Sequence, residues 1–403
     1  DTTGAMCKAT VKTKKGEEIL EADIVLSAVG ITANIENLGL EDVGIATDKG
    51  KVLVNDFYQT NIPGYYAIGD VIPGPALAHV ASAEGITCVE KIAGMDVQPM
   101  DMNNIPGCTY ASPEISSVGY TEQAAKDAGV CATVGLGASP GVTNLLALIA
   151  MQELDSVNTV YTGWNLGPAK PEEASSQSGT NAAMIHAVEQ MTGRVNVFRS
   201  GDFEMTRPLA PVLVHYPGLP SFTGNIFGHP EAITFPTNYP ELRESLNLAH
   251  GGGIDSWQLK GIMRLVDWGV ISKDRAAGFL TWFEQNTDAL AEDNAPDPRP
   301  VMYGLAIGTK NGRPASVGVS LKNPATQETD ADDISMGAIT GIPLACGIQF
   351  LAAGQLRKPG VLSPESGHIE PKAFLSEVLI QLGKIANFSS TAFDDHIEIS
   401  RSW

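Results

Sequence analysis

Gln59-Thr60-Asn61-Ile62-Pro63-Gly64-Tyr65-Tyr66-Ala67-Ile68-Gly69-Asp70 is followed, after a short loop, by Leu77-Ala78-His79-Val80-Ala81 and Glu84-Gly85. Tyr65–Ile68 reads as a strand, and Ala76–Ile92 carries apolar residues at helical spacing until Gly94 stops it. This order of strand, Gly-Asp, loop and helix puts a glycine where backbone can approach a ligand closely. It puts a carboxylate where it can accept hydrogen bonds from hydroxyls. The start of the helix, from about Leu77 to His79, turns its amides toward the same ligand, where partial positive charge favours an electron-rich ring edge. A flavin with its ribityl chain suits that geometry, while the bland alternative is a tight turn with Asp70 as a helix cap.

Outward from this stretch, Ala9–Thr13 and Glu18–Leu20 alternate around the turn Lys14-Lys15-Gly16. Asp23–Val29 is a continuous β-branched run, and Lys51–Val54 adds another strand candidate. The whole run from Gln59 to Gly85 closely resembles the second flavin motif of the dihydrolipoamide dehydrogenases, flavin-dependent pyridine nucleotide-disulfide oxidoreductases. The resemblance extends from about Val11 through Ala28-Val29-Gly30 to Ile105-Pro106-Gly107-Cys108-Thr109-Tyr110. It reaches Pro113-Glu114-Ile115-Ser116-Ser117-Val118-Gly119, where that family's dimerisation domain begins. It implies that Gly69 and Asp70 hold the ribityl chain of FAD and that the backbone around Leu77, Ala78 and His79 contacts the isoalloxazine. It also implies NAD as electron partner and a homodimer. His79 is then a backbone-contact position rather than a base. The family's G-x-G-x-x-G loop, redox C-x-x-x-x-C and terminal His-Glu pair are not in this sequence.

Composition changes near residue 130. Residues 1–130 hold eight Lys, no Arg, no Trp and one His, whereas residues 131–403 hold eight Lys, ten Arg, all five Trp and six His. Beyond this seam, Cys131–Val134 reads as a strand, Gly135–Gly141 as a Gly-rich turn and Val142–Leu154 as a helix. Val157–Trp164, Arg194–Phe198, Val301–Thr309 and Ala315–Leu321 are further strands. Asn181–Met191, Ser256–Val266, Lys273–Gln285, Ile334–Ala353 and Lys372–Leu382 are helices, and Ala291–Pro300 is a surface loop or linker.

Gly135-Leu136-Gly137-Ala138-Ser139-Pro140-Gly141 sits where a dinucleotide phosphate loop would, which makes Gly137, Ser139, Pro140 and Gly141 cofactor-binding candidates. The spacing is G-x-G-x-x-x-G, however, and Pro140 removes one cradling amide. The longer run Val134–Ala147 resembles the saccharopine dehydrogenases, where it marks the exit from the nucleotide domain into the substrate domain. Gly337–Gly354, Lys358-Pro359-Gly360-Val361-Leu362-Ser363-Pro364-Glu365 and Phe374-Leu375 resemble that family's returning helix and tail. The resemblance implies NAD or NADP and oxidoreduction at an amino-acid CH–NH bond. Such a site needs an Arg for a carboxylate and a His, Lys or Tyr as acid or base. Arg207, His215, His229, Glu231 and Tyr239 are the candidates, with Phe227–Ala232 as a binding loop, and each is equally readable as a structural loop residue. Trp164 and Trp257 read as core.

With 43% hydrophobic and 18% charged residues, the 403-residue chain is globular material sufficient for several cores. The net charge of −20 is spread without a basic stripe, which argues against nucleic acid. The longest apolar stretches, such as Leu145–Met151, are too short to cross a bilayer. The five scattered cysteines read as reduced thiols, with no metal spacing, in a cytoplasmic protein. The chain opens at Asp1 without an initiator Met, so a preceding segment is expected.

The expected fold is multidomain, α/β and α+β. A partial flavin-binding domain at 1–98 and the start of a dimerisation domain at 99–129 precede a mixed-sheet substrate domain at 130–333. C-terminal helices and a tail occupy 334–403. The expected function is that of an oxidoreductase-derived chimera or truncated product, joined near Lys126–Val130, acting on a small-molecule substrate but inactive as an isolated chain. The alternative is a non-catalytic module completed by a partner that supplies the missing domains.

Overall fold

The computed structural model describes residues 6–13, 16–112, 114–166, 182–251, 256–287, 298–322 and 335–403. The Lys14-Lys15 turn, Pro113 and most of the Ala291–Pro300 linker lie outside the described residues. The fold is mixed α/β. Two compact units are present, Asp1–Tyr120 and Thr121–Trp403.

In the first unit, β1 (Cys7–Thr13) pairs antiparallel with β2 (Gly16–Ala22). A short helix α1 (Leu40–Val43) and the ribbon of β3 (Thr47–Asp48) and β4 (Lys51–Val52) follow. Then come α2 (Ala78–Ile92) and the ribbon of β5 (Gly107–Thr109) and β6 (Ile115–Ser117). Val52, Tyr58, Ile72 and Cys88 form the small core. Asp23–Val29 is not a strand: the run joins no ladder, and Leu26 and Val29 are 88% and 96% exposed. A run apolar on both faces reads as a strand inside a sheet covered on both faces, but none of the described residues pairs with it. Tyr65–Ile68 likewise carries only an isolated bridge, Gln59 to Tyr66.

The second unit opens with α3 (Glu122–Asp127), β7 (Cys131–Thr133), α4 (Val142–Gln152), β8 (Ser156–Asn165) and α5 (Ala182–Gln190). The strands β9 (Val195–Arg199), β10 (Asp202–Thr206), β11 (Pro211–Val214) and β12 (Phe222–Ile226) follow. After them come α6 (Glu231–Asn238), β13 (Glu244–His250), α7 (Ser256–Asp267) and α8 (Lys273–Thr287). The hairpin of β14 (Met302–Lys310) and β15 (Arg313–Leu321), then α9 (Met336–Ala352), β16 (Gly360–Leu362), α10 (Pro371–Ile385), α11 (Phe393–His396) and β17 (Ile397–Ser402) complete it. Nine strands form one sheet in the order β10-β9-β13-β8-β14-β15-β17, with β11 and β12 attached beside β13. Within this sheet the β13–β8 pair is parallel and the other pairs are antiparallel, while β16 and β7 form a separate parallel pair.

Helix α4 is buried from Val142 to Met151 and, beyond Thr143 and Asn144 in its first turn, apolar on every side, as an internal helix must be. It lies between the sheet and α10. Its seat is Gly304 on β14, where a Cβ would stand 2.1 Å from the Ala147 nitrogen. The unit begins before residue 130 because α3 packs on β16 and β7, burying Ala125. Trp257, read as core, is 70% exposed on α7. No helix among the described residues is long and apolar enough to cross a membrane.

Candidate functional site

In the first unit, Gly69 begins a single 3-10 turn, Gly69–Val71, with φ 71°, a left-handed conformation that glycine adopts without strain. Its amide donates to Glu84 Oε2 at 2.6 Å, and Glu84 is buried on α2. This carboxylate therefore ties the Gly-Asp turn to the helix behind it. The Lys51 ammonium donates to the Asp70 backbone carbonyl, while the Asp70 carboxylate is exposed and has no hydrogen bond or ion pair among the described residues. Leu77, Ala78 and His79 are exposed at the start of α2; Leu77 N–H donates to Pro75 O at 3.0 Å, while the amides of Ala78 and His79 have no intrahelical acceptor. Cys88 is buried on the same helix, and burial pushes its thiol up.

In the second unit, the Gly135–Gly141 turn is closed on itself. Gly137 N–H donates to Pro140 O at 2.8 Å, and Val142 N–H donates to Gly137 O at 2.9 Å. Thr143 N–H donates to Ala138 O, and Gly141 N–H is taken by Asn144 Oδ1 at 2.8 Å. The Ser139–Pro140 peptide is cis. These amides are committed inside the turn, and what the turn presents is the Ser139 hydroxyl. It donates to Glu231 Oε1 at 2.5 Å.

Glu231, in the first turn of α6, is the centre of a buried polar network. Its Oε1 also accepts from Thr143 Oγ1 at 3.0 Å and Asn247 Nδ2 at 3.3 Å, while His229 Nδ1 donates to its Oε2 at 2.8 Å. Asn247 closes the network by donating to Thr162 Oγ1 at 3.0 Å and accepting from Trp164 Nε1 at 3.3 Å. The imidazole stands 6.1 Å, centroid to centroid, from both Trp164 and Phe227. Burial by itself raises the Glu231 carboxyl. The His229 charge and the hydrogen bonds from His229 and Ser139 outweigh it and hold the group below the usual carboxylate range. The helix start adds favourable partial charge. His229 Nε2 has no hydrogen-bond partner among the described residues and is the nitrogen left for proton transfer.

The β7–β16 pairing sets a second buried carboxylate on the other side of the turn. Glu365, fully buried, accepts from Asn144 Nδ2 at 2.8 Å and Ser363 Oγ at 2.9 Å. Tyr239 OH donates to the Glu365 backbone carbonyl at 2.8 Å. Burial, then the nearby Glu365 and Glu241 charges, push the Tyr239 phenol up to about 12. Tyr239 and His368 line a cavity of about 1180 Å³ whose walls do not include His229 or Glu231. Burial and Lys358 push His368 down to about 4.

The structure thus brings together Ser139, His229 and Glu231. It does not bring in the other candidates: His215 is exposed and bonded to Ser221 Oγ at 2.7 Å, Tyr239 is engaged with the tail, and Arg207 lines a separate cavity. Glu84, Thr143 and Glu365 stand within the quoted motif runs but were given no role there, and Asn247 was missed. Asn247 is a buried polar residue on the face opposite Leu246 and Leu248, in a strand buried on both faces, a signal visible once Glu244–His250 is recognised as a strand. No group of three or more metal-ligating side chains exists among the described residues.

A family model described as pyridine nucleotide-disulphide oxidoreductase matches residues 1–85. The dihydrolipoyl dehydrogenase of Rhizobium etli is 50% identical over 129 residues, covering 32% of this chain and 27% of the relative. The mitochondrial dihydrolipoyl dehydrogenase of Pisum sativum is 42% identical over 173 residues, covering 40% and 34%. A solved structure of LpdA from Mycobacterium tuberculosis matches at 31% identity with a TM-score of 0.27, covering 30% of this chain and 27% of that one. The chain spans about a third or less of the length of these relatives. Over part of its length, the chain is similar to the dihydrolipoyl dehydrogenases.

Proposed function

We propose that the chain joins two oxidoreductase pieces near Lys126–Val130, the first of them the ribityl-holding arm of a dihydrolipoyl dehydrogenase-type flavoprotein. The observation that carries this reading is the exposed, unpaired Asp70 carboxylate, set by a left-handed Gly69 just ahead of the α2 amides. Asp70 accepts from ribityl hydroxyls and the start of α2 faces the ring edge. FAD, when bound, supplies electron transfer between a dithiol and NAD. Asp70→Asn is expected to weaken riboflavin binding roughly tenfold, the worth of a hydrogen bond to a charged acceptor, as read by quenching of flavin fluorescence. Unchanged affinity would remove Asp70 from the site.

A specific observation favours a second role for Thr121–Trp403, the substrate domain of an NAD(P)-linked dehydrogenase acting at an amino-acid CH–NH bond. It is the His229–Glu231 pair. Glu231 fixes the imidazole with its hydrogen on Nδ1, and Nε2 takes or returns the proton on the substrate nitrogen. The motif at Val134–Ala147 and the tail at Lys358–Glu365 meet through the β7–β16 pairing and the Asn144–Glu365 bond, which supports the same reading. Nitrogen-15 NMR is expected to show a hydrogen on His229 Nδ1 facing Glu231, and Glu231→Gln to weaken that preference. Nδ1 without a hydrogen in the parent protein would contradict the assignment. The domain limits 1–98, 99–129, 130–333 and 334–403 are proposed with it, and we further propose that a partner completes both pieces.

A further inference from the structure

The reading of Thr121–Trp403 as a substrate domain leaves unused the cavity that Arg207 lines. Its volume is about 660 Å³, within the range of small-molecule sites. Four cations converge on it. Arg194 stands just before β9 and Arg207 just after β10, at the open end of one hairpin, while Lys260 and Arg264 lie one turn apart on α7. Like charges at that helical spacing repel. None of the four makes an ion pair or hydrogen bond among the described residues. Asp267 is the one carboxylate in the wall, and its Oδ1 is already accepting from Gly193 N–H at 2.7 Å. Trp268 forms part of the rim and is 71% exposed.

In a chain of 46 acidic and 26 basic residues, four unneutralised cations around one committed carboxylate are not a solvated average. Screening in physiological salt confines interactions to about 8 Å, so this local charge, not the overall −20, governs what enters. Guanidinium forks match phosphate oxygens two at a time, and the indole face offers a planar ring a stacking surface.

We infer that this cavity binds a phosphorylated small molecule of nucleoside diphosphate type, with its phosphates among Arg194, Arg207, Lys260 and Arg264 and its ring on Trp268. The site does not depend on the proposed reaction. Calorimetric titration of the full chain with inorganic pyrophosphate and with ADP tests it. Pyrophosphate is expected to bind saturably and more weakly as salt rises. The double variant Arg207→Gln/Lys260→Gln is expected to lose at least tenfold in affinity at unchanged Tm. ADP is expected to bind more tightly than pyrophosphate, and Trp268→Leu to abolish only that difference. Absence of saturable binding for both probes at low salt, or parent-like binding by the double variant, overturns the site. ADP binding no tighter than pyrophosphate overturns the ring contact.

Discussion

Replacing Glu231 with alanine is expected to destabilise Thr121–Trp403 by about 3–5 kcal/mol, because it removes one partner of a buried, charge-bearing pair. The loss also strands Ser139, Thr143 and Asn247, whose donors all converge on Oε1. Glu231→Gln is expected to cost less, since its amide oxygen still accepts from Ser139 and Asn247. Denaturant unfolding checks both, and a loss below about 1 kcal/mol for the alanine variant would show that the network is not holding the fold. The pH dependence has a definite sign. The folded carboxyl titrates below its unfolded value, so its contribution is complete above about pH 4.3 and is lost as pH falls through the lower folded value. Unfolding midpoints between pH 5 and pH 3, compared with the glutamine variant, isolate that slope.

The second large effect lies in packing. Gly304→Ala places a methyl group 2.1 Å from the Ala147 nitrogen and 2.2 Å from its Cα. Backbone cannot rotate aside as a side chain can, so α4 must lift from β14. A loss at or above the upper end of the overpacking range, about 3 kcal/mol, is expected. Gly261→Ala is the control. That glycine sits on the exposed face of α7, where an added methyl group meets nothing within 4 Å, so the change is expected to gain up to about 1 kcal/mol through helix propensity. Equal effects of the two variants would remove the close approach of α4 to β14 as the cause.

Helices with capping or apolar periodicity were legible in the sequence. Gly141 before Val142 and Pro371 at the start of α10 mark starts, and Gly94, with φ 80°, marks a stop. Strands whose partners lie close in sequence were legible too, as β14 and β15 show. The apolar run Asp23–Val29 reads as strand but has no described partner, and a ladder is a property of neighbours, not of one segment. The strands β10 to β13 were not read because Gly and Pro interrupt their surroundings and their pairing is set by the sheet.

At the candidate site, the Phe227–Ala232 segment drew attention for its polar cluster, and the structure buries His229 and Glu231 there with Ser139 from about 90 residues away. That meeting depends on β13 lying beside β8 and on the closed turn before α4, neither of which local pattern encodes. Arg207 was grouped with His229 on chemistry alone. The hairpin places it in the other cavity.

A flavin arm without a phosphate-gripping loop is the feature on which the functional reading stands, and comparing riboflavin with FAD on the Arg207→Gln/Lys260→Gln protein, with and without Asp70→Asn, probes it. The two flavins are expected to bind within about twofold of each other, and both to weaken with Asp70→Asn, because the contacts reach only the ribityl chain and ring. On that background, FAD binding a hundredfold or more tighter than riboflavin, a difference of about 2.7 kcal/mol, would contradict this by revealing a pyrophosphate site beside the Gly69–Asp70 arm.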